Sequence, residues 1–512
     1  MSPINRSYRS RMISAAVSGL LLALATPPIP LGFIAWFALF PLFMAIEGAQ
    51  NNKESYLIGF ISGLVFYLGT VYWIAMNTGT NILVRLSSGT GSILLLASTF
   101  GLVTLVLYRV YKIFGRGGFF LAPILFVFNE TLWHFSELAF PWALFALTQG
   151  EYLSVLQMAS VGGTAVISAW VVAINTLIFV GRERRITGIT VIVLISLPFL
   201  LGTLREKSVY ERVMPHSLGK IALVQGNIDA AKKWELGAQY SLDIYEPLTQ
   251  GLRNEQPDLV VWPETAAPVY VQQNRRWRNH FQAFADSLGF SLITGGRYVE
   301  FVDDKRIPFN AAFMIKPRGR KQFERYEKVH LVPFGERVPF QKFFPILAKL
   351  NFGQAEFKPG EGIAKWTVAG RQDTFTVAPM ICYESIFPYL GMEVVRHKTD
   401  VILNLTNDGW FDGTSEQRQH LLLSVIRSIE TGRSLVRATN TGISAIATPS
   451  GRILQSLPTN VRGVLATNIP IPVDTPFNRG GWITPYIFFF VGLLIILFVL
   501  GHGIYYRKRT IK

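Results

Sequence analysis

The chain has 512 residues, half of them hydrophobic and only 16% charged, and its mean hydropathy is +0.31. These values exclude an ordinary soluble enzyme and leave room for two or three domains. The net charge of +16 does not imply nucleic acid as a partner: much of the excess lies in short clusters at the ends of apolar segments, and no zinc-finger spacing or RNP-like aromatic string accompanies it. The one cysteine excludes an intrachain disulfide.

A spanning helix needs about 20 mainly apolar residues. In chain order the candidate spans are 10–27, 31–47, 56–76, 88–109, 118–136, 159–181, 186–204 and 482–505. Residues 1–25 carry Arg6, Arg9 and Arg11 before an apolar core and Ala23-Leu24-Ala25, as a signal peptide would. A second apolar segment follows at once, so an uncleaved first helix is expected.

About eight spans put both ends of the chain on one side. Basic residues cluster at the N-terminus, at Lys112 and Arg116, at Arg182, Arg184 and Arg185, and at Arg507, Lys508, Arg509 and Lys512. The alternate short loops carry little beyond Arg85. The positive-inside rule then makes both termini cytoplasmic and sends the long segment before the last span outside. The expected parts are a membrane bundle of about seven helices (residues 1–204), an extracytoplasmic domain (205–480), and a closing helix with a basic tail (481–512). Glu130, flanked by Asn129 and followed by His134, falls in the fifth span. An ionisable residue at that depth is a functional candidate, with a helix–helix hydrogen bond as the other reading.

From Ile221 short β-rich runs alternate with polar helical stretches. The expected strands are 221–228, 258–264, 291–300, 311–317, 374–385, 400–408 and a pair or more within 434–454. Helices are expected near 239–254, 272–288, 387–398 and 416–430. Such alternation predicts an α/β domain with buried strands, whose reactive groups gather at strand ends.

Three segments put a chemically useful residue there. In VVWPET (260–265), Pro263 ends the ladder and Glu264 projects from it; apolar neighbours would raise its pKa towards that of a general base. In YEKVHLVPFGE (326–336), Lys328 is placed to face the negative charge of a tetrahedral intermediate. In VAPMICYES (377–385), an apolar strand leads into Cys382 at a strand-to-helix turn, where a thiol is accessible as a nucleophile. Each has a plain alternative: a capping carboxylate, a surface lysine, an inert core thiol. Together they form a cysteine acyl-transfer set that needs no histidine.

The segments VVWPE, YEKVHLVPFGE and ICYE, in that order, resemble the Glu–Lys–Cys motifs of the nitrilase, or carbon–nitrogen hydrolase, superfamily. The likeness covers about 215–460 and implies a four-layer αββα sandwich. The whole pattern of helices, outer domain and closing helix resembles the apolipoprotein N-acyltransferase family, as do LVQGNI with Trp234, FGERVP (334–339) and NDGWF (407–411). The resemblance implies that Glu264, Lys328 and Cys382 are the triad, that Glu336, Tyr383 and Glu384 support it, and that Asn310 lines the site. It further implies an acyl donor that is a phospholipid such as phosphatidylethanolamine, an acceptor that is a diacylated apolipoprotein, and a place in the bacterial inner membrane.

The apolar stretch KFFPILAKLNFG (342–353), with Phe343 and Phe344, reads either as a lipid-touching arm or as an amphipathic core helix. Trp410 and Phe411 line the substrate entrance or pack in the core. The chain is expected to act as a monomer. No metal-ligand cluster, phosphate-binding glycine loop or dinucleotide fingerprint is present, so no metal and no cofactor is expected. Two rivals stay open: a membrane-anchored amidase with water as acceptor, and a transporter or receptor whose outer domain only binds ligand. A bundle of spans speaks against the first, and the intact Glu, Lys and Cys against the second.

Overall fold

The computed structural model describes residues 7–319, 322–341, 343–344, 356–371 and 373–510. Two compact units result, one from Met1–Ala75, Arg85–Arg205 and Arg479–Lys512, the other from Met76–Val84 and Glu206–Asn478.

The first unit is helical. Among the described residues, five stretches are long and apolar enough to cross a membrane: Asn52–Met76, Ile82–Leu132, Ala159–Val180, Ile186–Val213 and Gly481–Tyr505. Gly32–Glu47 is apolar but shorter, and the first expected span corresponds to the 17-residue helix Tyr8–Leu24. The longest stretch is two helices, Ile82–Phe114 and Ala122–Leu132, joined by a 3-10 turn at Gly115–Leu121. The second expected span is broken into a turn at Gly32–Ile34 and helices Ala35–Ala38 and Phe40–Glu47. Backbone groups freed at such a break need partners, because lipid offers none. Asn175 supplies them: its Nδ2 donates to the Ala35 carbonyl at 2.8 Å, and its Oδ1 accepts the Leu39 N–H at 2.8 Å.

Glu130 does the same work for a second irregular segment. It accepts the Phe145 N–H at 2.5 Å, where the 3-10 turn Phe145–Gln149 begins, and Ser168 accepts the next N–H, that of Ala146, at 2.9 Å. The hydrogen-bonding reading of Glu130 therefore has direct geometric support. Arg11 and Glu54 form a buried ion pair at 2.6 Å, with Arg11 packed on Gly48; nearer the surface Arg182 meets Glu47 at 2.9 Å, and Arg116 bonds Glu47 as well as Glu183.

Among its described residues the second unit holds thirteen strands: β1 (Ser217–Gln225), β2 (Leu259–Val261), β3 (Ala267–Tyr270), β4 (Ser291–Val302), β5 (Lys305–Ile315), β6 (Glu324–Glu327), β7 (Trp366–Ala369), β8 (Thr374–Ile381), β9 (Val401–Thr406), β10 (Ser434–Thr439), β11 (Ser444–Ala447), β12 (Ile453–Leu457) and β13 (Gly463–Pro470). One sheet runs β13-β1-β2-β4-β5-β6 with β3 against β4, and the other runs β12-β11-β10-β9-β8-β7. The parallel pairs are β1–β2, β2–β4, β3–β4, β8–β9 and β9–β10. Parallel sheets require cover on both faces, and β2, β9 and β10 are buried throughout. The cover is the other sheet on one side, through β1 against β8 and β10 and β5 against β8, and helices on the other. Helices Lys232–Gln250 and Arg275–Leu288 lie on the first sheet, and Glu416–Thr431, with Pro388–Arg396 against it, lies on the second. The layers are helix, sheet, sheet, helix: the αββα sandwich expected from the sequence.

In the first unit, helix Asn52–Val71 approaches helix Ile82–Phe114 closely at Gly59, where an added Cβ would stand 2.2 Å from Thr104 Oγ1 and 2.9 Å from the Gly101 Cα. Small residues permit such backbone approach. Replacing Gly59→Val should destabilise the detergent-solubilised protein by about 1–3 kcal/mol through overpacking, read as a lower midpoint of thermal unfolding followed by tryptophan fluorescence. Unchanged unfolding would mean that the helices do not meet there.

Candidate active site

Glu264 is set by its own strand and by a glycine on the neighbouring one. After β2, the buried Trp262 stacks on Tyr245 with centroids 5.1 Å apart and donates from Nε1 to Thr249 Oγ1 at 2.8 Å. Pairing with β4 continues past the strand's formal end: the Trp262 N–H reaches the Ile293 carbonyl at 2.8 Å, and the Gly295 N–H reaches the Pro263 carbonyl at 3.2 Å. Only glycine fits at 295, because a Cβ there would lie 2.7 Å from the Glu264 Cα. The carboxyl of Glu264 is 8% exposed. Burial holds it above the ordinary carboxylate range, Glu336 adds to the rise, and Lys328, Asn310 and Lys233 oppose it.

Lys328 follows β6, and its N–H donates to the Asn310 carbonyl of β5 at 2.9 Å. Its side chain is 1% exposed. The ammonium lies 2.9 Å from Glu336 Oε2 and 3.7 Å from Glu264 Oε1. Asn310 spans the two carboxylates, donating from Nδ2 to Glu264 Oε1 at 2.7 Å and to Glu336 Oε1 at 2.8 Å. Burial alone would weaken the ammonium, but Glu336 and Glu264 outweigh it and hold Lys328 protonated.

Cys382 comes from the other sheet, at the end of β8 and the start of the 3-10 turn Cys382–Ile386. Its φ is +52°, a region that residues with a Cβ seldom occupy. The residue is half-buried. Burial and the Glu264 carboxylate push the thiol well above its usual value, with Lys328 pulling the other way. The resting group is thus a neutral thiol that needs a base, and Glu264 is the carboxylate whose field it feels most.

Glu384 ties the two sheets together and is fully buried. Its Oε1 accepts from the Tyr326 hydroxyl at 2.7 Å, the Val329 N–H at 2.6 Å and the His330 N–H at 3.0 Å, and its Oε2 accepts the Ile381 N–H at 2.6 Å. These bonds fix the backbone beside Lys328 and beside Cys382 together. Burial still lifts this carboxyl to about 7 against those donors. Glu336 is braced by the Val332 N–H at 2.9 Å.

The other residues picked out from the sequence fall around this centre in different ways. Tyr383 is buried, edge-on to Phe387 at 5.1 Å. Trp234 is 38% exposed, with the Arg297 guanidinium over its ring at 4.5 Å. Trp410 is half-buried: its carbonyl accepts the Thr78 N–H at 2.9 Å, and its ring packs on the backbone of Gly79. Phe343 and Phe344 are 75% and 59% exposed, while Lys342 and 345–353 of the expected arm lie outside the described residues.

Sequence reasoning passed over Lys233. It is 2% exposed, its ammonium is 2.5 Å from Thr265 Oγ1, and burial pushes it down to about 8 while Glu264 pulls it up. Sequence reasoning also passed over a polar network under Cys382. Among the described residues, the carboxylates and histidine that could hold a metal ion are Asp408, Glu416 and His420. Arg437 Nη2 already meets Asp408 Oδ2 at 2.7 Å and His420 Nδ1 lies 3.0 Å from Asp408 Oδ1, so a dication there would face an arginine; the group is better read as a hydrogen-bonded network.

Residues 220–473 match the carbon-nitrogen hydrolase family model, and residues 18–177 match that of the apolipoprotein N-acyltransferase N-terminal domain. The apolipoprotein N-acyltransferase of Geobacter metallireducens is 34% identical over 92% of this chain and 92% of its own. That of Chlorobaculum tepidum is 28% identical over 91% of this chain and 94% of its own. Among solved structures, an amidase from Nesterenkonia sp. is 19% identical, covers 52% of this chain and 94% of its own, and superposes with a TM-score of 0.38. The identity to the Geobacter protein runs through helical unit and sandwich alike, and the chain belongs to the apolipoprotein N-acyltransferase family.

Proposed function

We propose that this chain transfers a fatty acyl group from a phospholipid, through a thioester on Cys382, to the N-terminal α-amine of the diacylglyceryl-cysteine of apolipoproteins. The observation that carries this reading is the convergence of Glu264, Lys328 and Cys382 from strand ends of two sheets, in a chain whose relatives bear that activity in their names. In the first step the Cys382 sulfur attacks the sn-1 ester carbonyl, with phosphatidylethanolamine as the proposed donor. Glu264 takes the thiol proton, and the Lys328 ammonium faces the oxyanion. Collapse breaks the C–O bond, and Glu264 returns the proton to the departing lysophospholipid. In the second step the acceptor's amine attacks the thioester, Glu264 takes a proton from the amine, an amide forms, and the sulfur leaves and recovers its proton. Exposed Trp234 and Phe343 and half-buried Trp410 support a lipid- or acceptor-contacting rim.

The proposed setting is the bacterial inner membrane, with parts 1–204, 205–480 and 481–512, the catalytic domain periplasmic and both termini cytoplasmic. Support comes from the basic loops and from the pairing of Arg11, Arg116 and Arg182 with Glu54, Glu47 and Glu183, which join several helix ends. Hydrolysis of small amides needs no helical unit, and the match of 18–177 to the acyltransferase N-terminal domain favours acyl transfer.

Mass spectrometry of the Cys382 peptide after incubation with phosphatidylethanolamine vesicles should reveal an acyl-sized gain that a diacylated lipopeptide then removes. Cys382→Ala should abolish the adduct, and Glu264→Gln or Lys328→Met should slow its formation by about 100-fold or more. An unmodified Cys382 in active wild-type enzyme would sink the reading.

Lys233 yields a pH prediction. Its positive charge favours ionised Glu264, so Lys233→Met should raise the Glu264 pKa further. The acid limb of the acylation rate should therefore move to higher pH. A limb that stays put would show that Lys233 does not act on the base.

A further inference from the structure

The backbone carbonyl of Cys382 ends in a second, fully buried polar cluster. His420 Nε2 and Asn404 Nδ2 each lie 3.2 Å from that oxygen, and the Ser385 hydroxyl donates to it at 3.1 Å. On its other side the His420 ring meets two carboxylates: Nδ1 is 3.0 Å from Asp408 Oδ1 and 3.2 Å from Glu416 Oε1. Asp408 also accepts from Thr406 Oγ1 at 2.9 Å and from Arg437 Nη2 at 2.7 Å, and Arg437 bonds Asn404 in turn. His420, Asp408, Glu416 and Arg437 are all at most 3% exposed.

Counting protons assigns the ring's state. The Cys382 carbonyl oxygen can only accept, and the Ser385 hydroxyl, 3.1 Å from Nε2, gives its one hydrogen to that same carbonyl, so Nε2 carries a proton towards the pair. Asp408, held ionised by Arg437, can only accept as well, so Nδ1 carries a proton towards it. Both nitrogens donate only in the imidazolium. Burial and Asp408 push the Glu416 carboxyl up to about 7, so above that pH the charges close, with Asp408 and Glu416 negative against His420 and Arg437 positive, which is the condition for burying such a group. The backbone held this way is the one at φ +52°, which persists only where its surroundings over-determine it.

We propose that His420, as an imidazolium, is a positioning residue that grips the Cys382 carbonyl and so holds the left-handed turn that presents the thiol for acylation. It is not a general base: its ring nitrogens are committed to the Cys382 carbonyl, the Ser385 hydroxyl oxygen and the two carboxylates. The inference rests on Cys382 being the acylated residue. The groups facing the ring are Asp408 from the turn after β9, Glu416 from its own helix, Arg437 from β10, and Cys382 and Ser385 from the turn after β8. Burial and Arg437 lower its pKa, yet Asp408 and Glu416 leave it raised above the usual 6.5. A raised histidine keeps its grip below that pKa and loses it as pH rises through it.

The test measures the rate of Cys382 acylation by phosphatidylethanolamine vesicles against pH, in full-length protein, by mass spectrometry of the Cys382 peptide. This first half-reaction involves no acceptor amine, whose own titration would otherwise add to the profile. Glu416→Gln removes one carboxylate and should move the alkaline fall in rate to lower pH. His420→Gln keeps a neutral donor for the carbonyl; it should abolish that fall and lower the rate at neutral pH by about tenfold, the scale of one lost charged hydrogen bond. His420→Ala should lower it further. Should the histidine variants fail to fold, the nearly isosteric Glu416→Gln decides alone. An alkaline limb unmoved by Glu416→Gln, or a His420→Gln enzyme with the wild-type rate and limb, would overturn the proposal. Absence of any wild-type adduct at every pH would instead remove Cys382 as the acylated residue, and this role for His420 with it.

Discussion

A lysine ammonium that water does not reach needs carboxylates around it, and the centre of the sandwich is arranged about that demand. Lys328 is paired with Glu336 and Glu264, and Asn310 spans those two carboxylates. Removing one member of such a buried pair leaves an uncompensated charge, at a typical cost of about 3–5 kcal/mol. Two carboxylates and one ammonium leave a negative excess, and buried Lys233 beside Glu264 removes it. The set Lys233, Lys328, Glu264 and Glu336 is then neutral. If Cys382 passes its proton to Glu264, one negative charge moves from carboxylate to sulfur and the sum remains zero. The proposed first step therefore asks a dry pocket to relocate charge rather than to acquire it.

That arrangement draws on both sheets. Glu264 and Asn310 stand on β2 and β5 or just past them, and Lys328 follows β6, whereas Cys382 ends β8. Glu264 and Cys382 come near one another only because the sheets pack face to face, β5 against β8. Glu384 crosses that seam with its bonds to Tyr326, Val329 and His330 on one side and Ile381 on the other. Its contribution is geometric, since it fixes the main chain on either side of the reacting groups. The Asp408–His420 network does for the carbonyl side of Cys382 what Glu384 does for its N-terminal side.

The centre was legible in the sequence because its members sit at strand ends within short apolar runs, a local signal carried by VVWPE and MICYE. Glu264, Lys328 and Cys382 are brought together, as are Glu336, Asn310 and Glu384. Lys233 was not legible: it lies in a polar helix, and only folding shows which of its residues turns inward. Nor was the His420 network, whose members come from β9, β10, one turn and one helix and meet through non-local pairing. Among strands, β3, β6 and β7 are only four residues long and β13 pairs with β1 across nearly the whole domain, so no window of local sequence marks them well. In the helical unit, hydropathy finds apolar stretches but averages over the breaks near Leu39 and at Gly162–Gly163. Asn175 and Glu130 had to be seen in place before those breaks made sense.

The exposure pattern bears on why a shared triad should serve transfer rather than hydrolysis. Glu264 is 8% and Lys328 1% exposed, while Cys382 is only half-buried. Cys382 is thus the least buried residue of the three, and Glu264 and Lys328 lie deeper than it does. Water that would attack a thioester must first be deprotonated, and a base with little access to solvent activates bulk water poorly. An amine delivered on a lipid anchor arrives in the orientation and at the effective concentration set by the bilayer, and it is a better nucleophile towards a thioester than water is. In the proposed reaction, discrimination against water follows from the placement of the base and the tethering of the acceptor.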